Sequence, residues 1–98
     1  MSDEFINDET DRQAVVAELH EALTATAERP VERTASRWIG EAEAIAADLI
    51  EAPDDPAVIR DRAARIVSLL ENVDQTGDRT ATEHVEDAKV LAARLAPE

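Results

Sequence analysis

Apolar residues in this chain recur at steps of three and four in four separate stretches, the pattern of helices that each bury one face. The first stretch opens on Thr10-Asp11-Arg12-Gln13, which has the form of a capping box. Val15, Val16, Leu19 and Leu23 follow, and the stripe fades through Ala25, Thr26 and Ala27. A break is expected near Arg29, because the residue before Pro30 is pushed out of the α region. Pro30 suits the first turn of a second helix. That helix carries Val31, Ala35, Trp38, Ala42, Ile45 and Leu49, broadened by Ile39, Ala46 and Ile50. Ala52-Pro53-Asp54-Asp55-Pro56 closes it, with Asp55 the expected N-cap of a third helix and Pro56 its first residue.

The third helix repeats the spacing with Ile59, Ala63, Ile66, Leu70 and Val73, widened by Val67 and Leu69. Gln75-Thr76-Gly77-Asp78 is expected to end it, Gly77 supplying a left-handed cap or turn. Thr80-Ala81-Thr82-Glu83 has the form of a second capping box. Ala81, Val85, Ala88, Ala92 and Leu95, with Leu91 beside them, make the last stripe before Pro97.

Four helices joined by short loops pack most simply as an up-down-up-down bundle. The expected fold is therefore all-α, a four-helix bundle over residues 9–98 preceded by a disordered acidic arm over residues 1–8. Helices two and three have the widest faces and should each touch two partners. The alternative is a three-helix core with a loosely attached first helix, since helix one has the narrowest stripe.

Composition changes the picture in one respect. Twenty-three acidic residues face ten basic ones, a formal charge of −13, and Lys89 is the single lysine. Carboxylates in such excess suit a salt-rich solvent, where ions screen their mutual repulsion. Arginine in place of lysine fits the same setting, because lysine exposes a longer flexible apolar stem. The charge also repels nucleic acid and anionic lipid. There is no cysteine, which excludes disulfides and thiolate zinc sites. The first eight residues have neither the basic region nor the apolar run of a secretory signal. No apolar stretch approaches the ~20 residues of a membrane span, so the cytoplasm is the expected location.

The antiparallel layout gathers one chemically rich end: Arg29, Arg33, Arg37, Trp38, Glu71, Asp74, Thr76, Glu83 and His84. Its arginines are expected to pair with acids across the bundle, Arg37 with Glu71 and Asp74. Arg60, Arg62 and Arg65 are expected to pair with Glu43 and Asp48 in the same way. The alternative use of Arg33, Arg37, Trp38 and His84 is to receive an anionic ligand or a partner's carboxylates. Trp38 lies on the apolar stripe and is expected in the core.

His20 and His84 lack the convergent ligands a metal site needs, and no cofactor is expected. Glu18-x-x-Glu21 and Glu71-x-x-Asp74 are similar to the acidic pairs with which all-α nucleotide pyrophosphohydrolases hold magnesium. The surrounding residues do not otherwise resemble that family, and in a chain this acidic such spacings arise by chance. Opposite the core stripe, Ser36, Gly40 and Ala44 form a smooth row that another helix can approach closely.

Two stretches, residues 30–43 (Pro30-Val31-Glu32-Arg33-Thr34-Ala35-Ser36-Arg37-Trp38-Ile39-Gly40-Glu41-Ala42-Glu43) and residues 70–78 running on to His84-Val85, resemble a group of uncharacterised haloarchaeal small acidic helical proteins. The resemblance implies a salt-loving archaeal cytoplasm and carries no activity. The expected function is non-enzymatic: a helical bundle acting through contact with a protein partner or a second copy of itself. The alternative is a magnesium-dependent hydrolase of a phosphorylated small molecule, acting through Glu18, Glu21, Glu71 and Asp74. The charge generates a direct test by far-UV circular dichroism. The melting temperature is expected to climb as potassium chloride rises into the molar range, and a melting temperature indifferent to salt would contradict the reading.

Overall fold

Asp55 starts a helix by chemistry confined to four residues. Its backbone is extended (φ −113°, ψ 109°), and its carboxylate accepts the N–H of Ala57 at 3.0 Å and, more distantly, that of Val58 at 3.5 Å. These are donors that the first turn cannot satisfy internally. Pro56 follows at the first helical position, where no N–H is required.

The computed structural model describes residues 9–51, 55–73 and 75–96. They form α1 (Glu9–Ala27), α2 (Arg33–Glu51), α3 (Pro56–Glu71) and α4 (Arg79–Leu95), with no strand among the described residues. The expected arm over residues 1–8 and the acid at Asp74 lie outside the described residues. α1 packs on α2 and α4, α3 packs on α2 and α4, and the diagonal pairs do not meet. That ring of four, with short links forcing sequential neighbours antiparallel, is the up-down-up-down bundle. Every helix touches two others, not α2 and α3 alone. α1 is not loosely attached: Val16, Leu19 and Leu23 are completely buried.

The core alternates large and small. α1 contributes Val15, Val16, Leu19 and Leu23, and α3 contributes Ile59, Ile66, Leu69 and Leu70. α2 and α4 contribute mostly alanine, namely Ala35, Ala42 and Ala46 on one and Ala81, Ala88 and Ala92 on the other. Since large-residue helices occupy one diagonal and alanine-bearing helices the other, every contacting pair sets bulky side chains against methyl groups. Such alternation lets facing layers interdigitate without voids.

Several boundaries depart from the sequence pattern. α1 begins at Glu9, so Thr10 lies inside the helix and not before it. Pro30 is outside α2, which begins only at Arg33. The Val31 N–H turns back to the Arg29 carbonyl (2.9 Å), and the Glu32 N–H crosses to the Thr76 carbonyl in another loop (2.8 Å). α3 stops at Glu71, well before Gly77, with the Asn72 and Val73 N–H groups folding onto the Leu69 and Leu70 carbonyls at 3.1 Å each. Gly77 has φ +80°, the left-handed value that glycine adopts without strain. It serves the turn into α4 and not the end of α3.

The buried face of α2 is also rotated. Ala35, Ile39, Ala42, Ala46 and Leu49 are buried, whereas Trp38 and Ile45 are half-buried at the flank and Ile50 is 43% exposed. Trp38 is therefore an edge residue and not a core residue. The α4 stripe is the one anticipated, residue for residue. Leu19→Ala tests the place of α1 in the core. It is expected to lower the unfolding free energy by about 2–5 kcal/mol in denaturant titrations at fixed salt. A loss below about 0.5 kcal/mol, the size of an ordinary surface substitution, would return α1 to the periphery.

Candidate functional site

The chemically rich end of the bundle is a structural knot. Arg29, just past α1, donates from Nε to Asp78 Oδ2 at 2.9 Å and from Nη2 to Oδ1 at 3.1 Å. Asp78 is at the same time the N-cap of α4, accepting the Ala81 N–H at 2.9 Å. It displaces Thr80 from the capping role anticipated for it, because a carboxylate can cap a helix and receive a guanidinium together. Thr76 sits beneath, almost fully buried. Its hydroxyl donates to the Asp78 carbonyl at 2.7 Å and accepts the Asp78 N–H at 3.0 Å. It lies 2.8 Å from the Thr82 hydroxyl, which must then be the donor of that pair.

The other residues expected at this end do not join the knot. Arg33 and Arg37 are exposed, and no ion pair links Arg37 to Glu71 among the described residues. The Arg37 guanidinium lies instead over the Trp38 ring, 5.7 Å from its centroid, a cation–π contact at the surface. Glu43, expected to meet an arginine of α3, accepts from the Thr24 hydroxyl of α1 at 3.0 Å. That bond identifies the flank of α2 facing α1. Trp38 is five residues earlier, about 140° around the helix, and so belongs to the flank facing α3. His84 stands on α4 beside α1. Because α2 and α4 are diagonal, Trp38 and His84 share an end of the bundle without sharing a face.

His84 lines a groove of about 660 Å³ between α1 and α4, with Glu18, Glu21, Asp87 and Leu91 and an exposed rim at Val90. Glu71 ends α3, which does not pack on α1, the helix that carries Glu18 and Glu21. Among the described residues, no three histidine, aspartate or glutamate side chains converge to hold a metal ion. No helix among them is long and apolar enough to cross a membrane.

The outer face of α2 is the remaining candidate. Ser36, Gly40 and Ala44 are all exposed. A methyl group built at Gly40 would meet nothing within 4 Å, so no neighbour among the described residues requires glycine there.

A family model described as a domain of unknown function (DUF8152) matches residues 15–98. No curated protein and no solved structure matches the chain.

The knot has an electrostatic consequence. The hydrogen bond from Arg29, then that from the Ala81 N–H, holds the Asp78 carboxyl below its ordinary range, while partial desolvation opposes them. The same contact raises Arg29 above its already high value. Asp78 is thus harder to protonate folded than unfolded. Its contribution to stability is complete above the ordinary carboxylate range and is lost as pH falls through the depressed value. Asparagine caps helices about as well as aspartate, so Asp78→Asn removes chiefly the charge pairing. The variant is expected to melt below wild type at neutral pH, with the gap closing as the solution is acidified past the ordinary aspartate range. A gap independent of pH would show that the Arg29–Asp78 charge pairing contributes nothing.

Proposed function

We propose that this chain, which belongs to the DUF8152 family, is a non-catalytic helical bundle that works by pairing with a second copy of itself through the outer face of α2. The observation that carries this reading is Gly40. Glycine in an exposed helix interior costs about 1 kcal/mol relative to alanine, and nothing among the described residues calls for it. Flanked by Ser36 and Ala44, it leaves a smooth track on which a second backbone can settle closely.

The chemistry elsewhere supports a binding role over a catalytic one. Active sites gather titratable groups whose pKa values are displaced in a cleft. Among the described residues, Arg29 and Asp78 are clearly displaced, and both are engaged in tying loops together. Glu18, Glu21 and His84 line one groove but form no metal-holding group among the described residues, and Glu71 stands apart on α3.

The working environment on this reading is the salt-rich cytoplasm of a salt-loving archaeon, supported by the charge of −13 and the single lysine. Two such chains repel each other across a Debye length of about 10 Å at 0.1 M salt, shrinking to about 3 Å at 1 M. Pairing is therefore expected to strengthen as salt rises. Sedimentation equilibrium in molar potassium chloride is expected to give a dimer, and Gly40→Arg, which fills the track, a monomer of unchanged helicity. A wild-type chain that stays monomeric at every attainable concentration would sink the proposal.

A further inference from the structure

The outer face of α2 has an internal symmetry. At 100° per residue, Arg33, Gly40, Ala44 and Glu51 lie within about 40° of one another along the helix. Their positions are balanced about a midpoint between Gly40 and Ala44, and Ser36 and Asp48 are balanced about the same point. All six residues are exposed. Neither Arg33 nor Glu51 forms an ion pair among the described residues.

We infer that two copies pair through α2 in antiparallel fashion, on a two-fold axis passing between Gly40 and Ala44, with Arg33 of each copy against Glu51 of the other. This rests on the self-pairing proposed above and gives it direction and register. In that arrangement Gly40 faces Ala44 of the second copy, the smallest contact available at the point of closest approach. A parallel pairing sets Arg33 on Arg33 and Glu51 on Glu51, like charges at both ends. A two-fold axis makes the same patch complementary to itself, as closed dimers require.

A second observation points the same way. The N-terminus of a helix favours negative charge and the C-terminus positive charge. Within α2 the order is reversed: Arg33 opens it just after Glu32, Asp48 and Glu51 close it, and it has no acid in its first turn and no base in its last. An antiparallel neighbour corrects both ends at once. Its Glu51 comes to rest beside the N-terminus of the first helix, and its Arg33 beside the C-terminus. The charges that are misplaced for an isolated α2 are correctly placed for a pair.

Charge reversal tests direction separately from association. Dimer dissociation constants are measured by sedimentation for wild type, Arg33→Glu, Glu51→Arg and the double variant, with helicity checked by circular dichroism. The salt is the lowest potassium chloride concentration at which wild type is folded and dimeric. Each single reversal is expected to weaken the dimer by about tenfold, since two facing pairs turn repulsive, and the double reversal to restore it to within about threefold. In a parallel dimer no single reversal creates repulsion, so neither variant is weakened. A wild-type dimer untouched by either single reversal, or not restored in the double, overturns the antiparallel register and leaves self-pairing standing. A wild-type monomer at all salts overturns both.

Discussion

The buried hydroxyl of Thr76 is the point at which the two halves of the chain are held in register. A hydroxyl has one proton to give and two lone pairs to fill, and all three positions are taken by Asp78 and Thr82. The backbone carbonyl of the same residue takes the N–H of Glu32 from the α1–α2 loop. A single residue thereby fixes the start of α4, the path of the α3–α4 loop and the entry into α2. Arg29 closes the arrangement from outside through Asp78. No buried side-chain nitrogen or oxygen among the described residues lacks a partner. Within the knot, the Thr76 hydroxyl and the Asp78 carboxylate are both engaged inside the chain.

The core explains why a chain with two aromatic residues folds at all. Alanine on α2 and α4 is too small to bury much area, but it lets those helices approach the leucine, isoleucine and valine of α1 and α3 closely. Close approach raises the number of dispersion contacts each large side chain makes. The arrangement gives every helix two partners and leaves each an outer face. On α2 that outer face carries Gly40 and Ala44 beside the exposed Arg37 at its centre, with Arg33 at one end and Glu51 at the other. A packing scheme that sends the bulk inward from one diagonal is therefore also what leaves a low, approachable surface on the other.

Local chemistry was legible in the sequence where it was complete within a few residues. Asp55-Pro56 is such a case, and so is the α4 stripe, whose alanines fit one face only. The stripe on α2 misled because Val31, Trp38 and Ile45 recur at the same helical steps as the residues truly buried. Periodicity gives a face to within one row of side chains, and the neighbouring helices choose the row. Thr80 misled for a different reason. It satisfies the local capping pattern, but Arg29, distant in sequence, rewards the carboxylate of Asp78 instead. The anticipated Arg37–Glu71 pairing is absent because exposed arginine gains little from an ion pair in water, and Arg37 lies over the adjacent Trp38 ring. Trp38 and His84 looked like one cluster because they share an end of the bundle. Only the ring order, with α2 and α4 on a diagonal, separates them.

The two loops at this end are joined through Thr76. Amide hydrogen exchange at Glu32 tests it most directly, by nuclear magnetic resonance in high salt. If the Glu32 N–H is held by the Thr76 carbonyl, it exchanges about as slowly as core amides such as that of Leu70, opening only when the bundle opens. Exchange at the rate of an unprotected loop amide would contradict the account.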